Sequence, residues 1–409
     1  MGSLVQPAED IHLLMIGDEG VLFDEPSQRI FHLNTSAALI WCHVESCLDE
    51  LTSQRELQAV FSLTEAESVA CIQATYQLFK TLRVLKGFEK ILEKPSLDSL
   101  NEVRITYSSN DFITERNYQL LSSSFCLRFS TSEQLLLVDP ILSHLQHEAP
   151  LSLSKIDFDI VEDKNGGIHI CRDNIILSSC DNNLKLAPIV KSLIWQAAVN
   201  GHHYFLNIHA GVISDGHYSY MFPASSGSGK STLTAALVQS GFEYYSDEAA
   251  LLHEPDFDVE PVPLAICVKS SGVEVLSKYY PQLSNLSEHH RSDGKKVRYM
   301  RPPVMPLGNA NIRQAVAAMV FPRYCPTETT VLEPIDSIEA LHLLMQECLI
   351  VDKRLTKDNV ASLLAWIEHT PCYSLTVGNL KDAIVLIKEL SALNDAYPLS
   401  NQIINPNLS

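Results

Sequence analysis

Basic residues are scarce in this chain. Of 409 residues, 30 are Lys or Arg against 49 Asp or Glu, a formal net charge of −19 at neutral pH. Nucleic-acid and anionic-membrane surfaces need clustered cations, so the expected partners are a small molecule, a peptide or a protein, with no nucleic acid and no membrane. Cysteine pairs are missing too. Ten cysteines are scattered with no C-x-x-C spacing, the reduced usage of a cytoplasmic protein rather than a disulfide framework. No apolar run approaches about 18 residues, and the N-terminus lacks a basic region followed by a long apolar core, so neither membrane spanning nor export is expected. What is present is a chain 46% hydrophobic, long enough for two or three domains with sizeable cores.

Its most informative stretch is Tyr218 to Glu248: a hydrophobic strand, a glycine-rich turn, a helix and a strand ending on Ser246-Asp247-Glu248. The turn, Ala224-Ser225-Ser226-Gly227-Ser228-Gly229-Lys230-Ser231, fits the P-loop pattern Ala/Gly-x4-Gly-Lys-Ser/Thr, whose backbone N–H groups curl around phosphates. Gly227 and Gly229 remove side chains that would block that approach. Lys230 can reach the β- and γ-phosphates, and Ser231, followed by Thr232, offers a hydroxyl to Mg²⁺ at a helix N-terminus that favours anions. Gly241 stands where the helix needs a C-terminal cap. ATP and Mg²⁺ are therefore the expected cofactors.

Two further signals specialise the loop. Leu206 to Ser214 runs into Asp215-Gly216, a hairpin signal that gives the loop strand an antiparallel neighbour in front. Asp247 lies seventeen residues after Lys230, so one helix and one returning strand bring Asp247 and Glu248 beside the γ-phosphate. One acid can take the proton of an attacking hydroxyl while the other holds Mg²⁺. His209, at the start of the hairpin, can face the phosphate or serve as a structural residue. Lys296 and Arg298 on a hairpin after Asp293, and Arg323 after the strand at 315–321, can screen phosphate charge or hold an acidic peptide end. His144 and His147 read as a solvated helix face, and the pairs His202-His203 and His289-His290 as unconnected neighbours, since adjacent side chains point apart.

Residues 1–95 read as a small α/β unit: strands at 21–23 and 29–33, a helix capped at Asn34, and a helix opening on the capping box Thr64–Glu67 with apolar positions to Leu82. From 96 to 200 the chain is mixed α/β, with a strand near Phe125, a turn at Asn165-Gly166-Gly167 and a helix at 189–200. After Arg323, helices at 337–345 and 358–368, a strand at 372–377 and a helix at 380–390 complete the catalytic layer, and the tail 395–409 reads as disordered.

The run Gly20 to Trp41, with Leu33-Asn34-Thr35, resembles the PqqD family of small winged-helix-like peptide chaperones. That resemblance implies a precursor's leader peptide adding beside the 29–34 edge and against the 66–85 helix, contacting Arg29, Phe31, Leu33, Ile72, Tyr76 and Phe79. Backbone pairing at a strand edge with side-chain selection in a groove is a sound physical mode.

His209-Ala210-Gly211, the hairpin, Ser226 to Thr232 and Ser246-Asp247-Glu248 resemble the HPr kinase/phosphorylase family, whose fold is related to phosphoenolpyruvate carboxykinase and whose members phosphorylate a protein serine. The resemblance implies Asp247 as general base, Ser231 and Glu248 on the Mg²⁺ side, Lys230 as phosphate clamp and His209 as a phosphate-contacting or supporting residue. Ala224 replaces the family's first loop glycine and Glu248 its second aspartate, and the segment associated with the reverse reaction is not found. The expected fold class is thus α/β: a mixed-sheet P-loop domain at 201–394, reached through a 96–200 subdomain and preceded by the PqqD-like domain. The fusion resembles the HPr-kinase-like enzymes of lasso-peptide and related pathways. It implies a serine/threonine kinase acting on a ribosomally made precursor peptide. A kinase of a folded carrier or small molecule, or an ATP-dependent peptide adaptor, are the alternatives, and homo-oligomerisation is left open.

Overall fold

The computed structural model describes residues 5–88, 102–147, 154–303 and 313–396. The chain forms two compact units: Met1–Asp98 with Asp336–His342 and Lys353–Thr370, and Ser99–Ile335 with Leu343–Asp352 and Pro371–Ser409. It is mixed α/β, with five sheets and ten α-helices among the described residues. No helix among those residues is long and apolar enough to cross a membrane.

In the first unit, strands Ile11–Ile16, Glu19–Asp24 and Arg29–Leu33 form an antiparallel sheet in that order. The middle strand buries Val21, Leu22 and Phe23 completely. Helices Thr35–Glu45, Glu50–Phe61 and Glu65–Leu82 follow. Asn34 accepts the Ala37 N–H at 3.0 Å, and Thr64 and Glu67 satisfy each other's backbone N–H groups; such caps contribute about 1 kcal/mol each. Ile40, Trp41, Leu57, Ile72 and Phe79 close one core with Leu22 and Leu33, and the Trp41 and Phe79 rings meet edge to face at 5.1 Å.

The helix Lys357–His369, which the sequence pattern assigns to the catalytic layer, belongs to this unit instead. It is tied in by polar bonds: Gly17 N–H to Glu368 (2.6 Å), Leu355 N–H to Gln28 (2.6 Å) and the Arg354 guanidinium to the Glu25 carbonyl (2.8 Å).

The second unit opens with a five-stranded sheet, Thr114–Leu120, Ser123–Phe129, Ser154–Glu162, Ile168–Arg172 and Ile175–Cys180. Tyr118, Phe125, Phe158, Ile170 and Ile194 share a core with Leu251, Val262, Leu264, Val297 and Tyr299. Among the described residues, the core of the expected 96–200 subdomain is thus continuous with residues 251–299. His144 does not lie on a solvated helix face: its Nε2–H donates to the Pro263 carbonyl at 2.6 Å, and burial lowers its pKa to about 4. The boundary at residue 95 lies outside the described residues. So does the tail beyond 396, and the last helix, Leu380–Ala396, runs past the expected start of disorder.

A six-stranded sheet holds the glycine-rich loop. Its order is Glu243–Ser246, Ala210–Ser214, Ser219–Pro223, Val316–Tyr324, Cys372–Val377 and Val331–Pro334. The strand Ser219–Pro223 is buried throughout, as a central strand covered on both faces requires. Ala210–Ser214 runs antiparallel to it, with Gly211 opposite Phe222, and Val316–Tyr324 runs parallel. The run from Leu206 is not one strand. Leu206–Ile208 pairs with Ala250–His253 and Cys348–Val351 in another sheet, and the chain changes sheets at His209.

Candidate functional site

The loop leaves the strand Ser219–Pro223 and enters the helix Lys230–Gln239 through Gly229, whose φ of +90° is a left-handed conformation that only glycine adopts freely. A Cβ there would meet Tyr324 at 3.4 Å, in ordinary van der Waals contact, so the backbone angle and not crowding calls for glycine. The helix buries Leu233, Ala235, Ala236, Leu237 and Val238, so it is covered nearly all round. It can come so close to the sheet because residue 211 is glycine: a Cβ at that position would lie 2.3 Å from Thr234 Oγ1 and 3.3 Å from Lys230 Cγ.

A cavity of about 280 Å³ opens over the loop. It is lined by Ser225, Ser226, Gly227, Gly229, Lys230, Ser231 and Thr232 together with His209, Asp247 and Glu248. Ala224 is buried beneath and offers its carbonyl to Lys230 Nζ at 3.2 Å, and Ser228 does not line the cavity. The strand Glu243–Ser246 lies two strands from Ser219–Pro223 and parallel to it, since both are antiparallel to Ala210–Ser214. Asp247 therefore emerges on the same side of the sheet as the loop. Its carboxylate is fixed by the Tyr244 hydroxyl (2.8 Å) and the Cys267 N–H (3.2 Å). Glu248 pairs with Lys191, a buried residue of the helix Leu186–Asn200.

The charges act on one another. Burial pulls the Lys230 ammonium down to about 8, against the opposing pull of Asp247, Glu347 and Glu248. Lys191 holds the Glu248 carboxyl below its ordinary value. For Lys191, the Glu248 and Asp247 carboxylates overcome burial and raise its pKa. His209 has its pKa lowered by burial first and by the Lys230 ammonium second. Its Nδ1 lies 3.0 Å from the Glu347 carboxylate. A carboxylate accepts, so Nδ1 carries the proton of the neutral ring and Nε2 is left as an acceptor.

Other expected residues are not brought to this cavity. Arg298 donates to the Leu286 carbonyl, and Arg323 makes a forked ion pair with Glu328 on the exposed surface, at 3.1 and 2.6 Å. Lys296 pairs with Glu288 at 3.0 Å and lines only a neighbouring cavity. In the first unit Leu33, Ile72 and Phe79 are 1%, 0% and 0% exposed, so their side chains belong to the core and cannot form a groove. Arg29 and Phe31 are half-buried at the sheet edge, the guanidinium 4.9 Å above the ring, and Tyr76 is half-buried on the helix. No strand beyond Glu19–Asp24 pairs with Arg29–Leu33 among the described residues.

Three cations that no local motif announces also reach the cavity region: Lys191, Lys269, whose Nζ donates to Ser226 Oγ at 2.9 Å, and Arg291. The neighbouring cavity, of about 730 Å³, shares Glu248, Cys267 and Arg291 with the first and is walled by Pro188, Lys191, Trp195 and Tyr299.

No protein-family model and no curated protein matches the chain. One solved structure to which it is similar is TbiB1 in complex with the TbiA(beta) leader peptide. That likeness covers 21% of this chain and 99% of that one, at 16% identity and a TM-score of 0.19. At that score it carries no argument about what this chain binds or does.

Proposed function

We propose that the chain is an ATP-dependent kinase that phosphorylates a serine or threonine hydroxyl of a precursor peptide whose leader docks on the first unit. The observation that carries this reading is the sharing of one cavity by the Gly229-Lys230-Ser231 loop and the acids Asp247 and Glu248. A binder of nucleotide alone has no need of a carboxylate held rigidly there.

The loop N–H groups and Lys230 would hold the phosphates. Ser231 and Glu248 form an oxygen donor set that suits Mg²⁺, which when bound with the nucleotide neutralises charge on the β- and γ-phosphates. Asp247 accepts the proton of the acceptor hydroxyl as its oxygen bonds to the γ-phosphorus and the bond to the β-phosphate oxygen breaks, releasing ADP. Tyr244 and Cys267 aim the carboxylate. Lys191 steadies Glu248 beside it. The acceptor peptide enters through the larger cavity, whose shared residues lead to the acids. Backbone pairing at the Arg29–Leu33 edge, with Arg29, Phe31 and Tyr76 selecting side chains, suits the leader, and tethering raises the acceptor to millimolar effective concentration.

Incubation with Mg-ATP and candidate precursor peptides should add about 80 Da, one phosphoryl group. Asp247→Asn should lower transfer about 10²- to 10⁴-fold while nucleotide affinity stays within about threefold. ATP turnover unchanged by that substitution, with no peptide gaining mass, would sink the kinase reading and leave an adaptor. Free leader peptide in excess should inhibit transfer; no inhibition would remove the docking role.

A further inference from the structure

We propose that His202, His253 and Glu260 form a binding site for a divalent transition metal, of the class that takes Zn²⁺, distinct from the loop cavity. Their ligand atoms all lie within 4.8 Å of one another, and none of the three lines that cavity. His202 follows the helix Leu186–Asn200, while His253 and Glu260 come from the paired strands Ala250–His253 and Asp258–Glu260. The side chains of His253 and Glu260 are 5% and 3% exposed, and that of His202 13%.

Both imidazoles point Nε2 at the same oxygen, Glu260 Oε1, His253 from 3.0 Å and His202 from closer still. The Ser122 hydroxyl donates to the Gly201 carbonyl at 3.1 Å and lies 3.1 Å from His202 Nδ1, so that ring is held from behind while its Nε2 faces the carboxylate.

A single metal ion could be ligated by both imidazoles and the carboxylate together, since their ligand atoms converge on one point. Two neutral His Nε2 atoms and one carboxylate are a recurrent zinc ligand set that leaves a fourth position open, and imidazole donors select against Ca²⁺ and Mg²⁺. Ser122 stands where an outer hydrogen bond fixes ring and tautomer. A metal there would pin the end of the helix that carries Lys191 to the strands that follow Asp247 and Glu248.

The test uses the full chain, stripped with a chelator and titrated with Co²⁺ as a spectroscopic probe. One equivalent should bind with a visible d–d spectrum that lacks a thiolate-to-metal band, and Zn²⁺ should displace it. Glu260→Gln and His253→Gln should each weaken Zn²⁺ binding about 100-fold or more. The outer change Ser122→Ala should weaken it about tenfold without unfolding the protein. Absence of stoichiometric Co²⁺ binding to the wild-type chain overturns the proposal, as does a thiolate band or an unchanged affinity in Glu260→Gln. A ¹⁵N spectrum showing His202 doubly protonated at pH 7 and unmoved by Zn²⁺ assigns the cluster to an imidazolium pair instead and likewise overturns it.

Discussion

The loop cavity and the sheet-and-helix face of the first unit are built from opposite materials. The cavity is walled by short polar side chains, two ammonium groups, the Arg291 guanidinium and two carboxylates. The face formed by Arg29–Leu33 and Glu65–Leu82 turns Leu33, Ile72 and Phe79 inward and leaves Arg29, Phe31 and Tyr76 at its margin. A charged group can stay buried only beside partners, so each member of the cavity implies its neighbours. An apolar side chain carries no such obligation and packs wherever area can be removed from water.

Four measurements test that contrast. The largest effect is expected in the first unit. Phe79→Ala should cost about 3–5 kcal/mol and lower hydrogen-exchange protection across residues 35–82, whereas Tyr76→Ala should leave protection intact and weaken leader binding. Equal, small losses in both would return Phe79 to a groove.

Next comes the contact beneath the loop. Gly211→Ala should cost about 1–3 kcal/mol through overpacking, and Thr234→Ala in the same background should recover most of it, because the obstructing atom is the Thr234 hydroxyl. Failure of that rescue would move the strain into the backbone.

A smaller effect follows pH. The folded-state pKa of Lys230, about 8, lies below its ordinary 10.5, so the penalty for burying the ammonium is fully present below pH 8. It is relieved as pH rises from 8 to 10.5, where the unfolded chain still binds the proton. The stability of wild type relative to Lys230→Met should therefore climb through that window, by up to about a factor of ten in the folding constant per pH unit. A flat difference would mean that the ammonium is not held away from solvent. The smallest effect belongs to Arg323→Ala. Its exposed pair with Glu328 is screened by solvent and should add little to stability, and transfer should change less than about twofold; a larger loss would restore Arg323 to the site.

The same contrast separates what the amino-acid sequence makes legible from what it hides. Thr64 with Glu67, Asn34, Gly229 and the Asp215-Gly216 turn each satisfy a local rule of capping or backbone geometry, and each sits where that rule puts it. The return of Asp247 to the loop needs only one helix and one strand. Lys191 and Glu347 are illegible because they come from 57 positions before Glu248 and 138 after His209, and a lone charge on an apolar helix has no local signature. Ile72 and Phe79 resemble a groove in sequence because apolar periodicity marks a buried face without saying what buries it. Residues 353–370 fall into the wrong unit for the same reason: the bonds from Arg354 and Leu355 back to Glu25 and Gln28 span more than 300 residues. His202 looks like no more than a neighbour of His203 in sequence, although its partners are His253 and Glu260.

The change of sheet at His209 makes this residue a mechanical junction. On one side Leu206–Ile208 is clamped between Ala250–His253 and Cys348–Val351; on the other Ala210–Ser214 is clamped between Ser219–Pro223 and Glu243–Ser246. The His209 N–H donates to the Glu347 carbonyl at 2.8 Å, and its own carbonyl accepts the Ala224 N–H at 3.3 Å. The two sheets are riveted at one residue, so any slip of the Cys348–Val351 edge must be absorbed at the root of the loop or must tear both bonds.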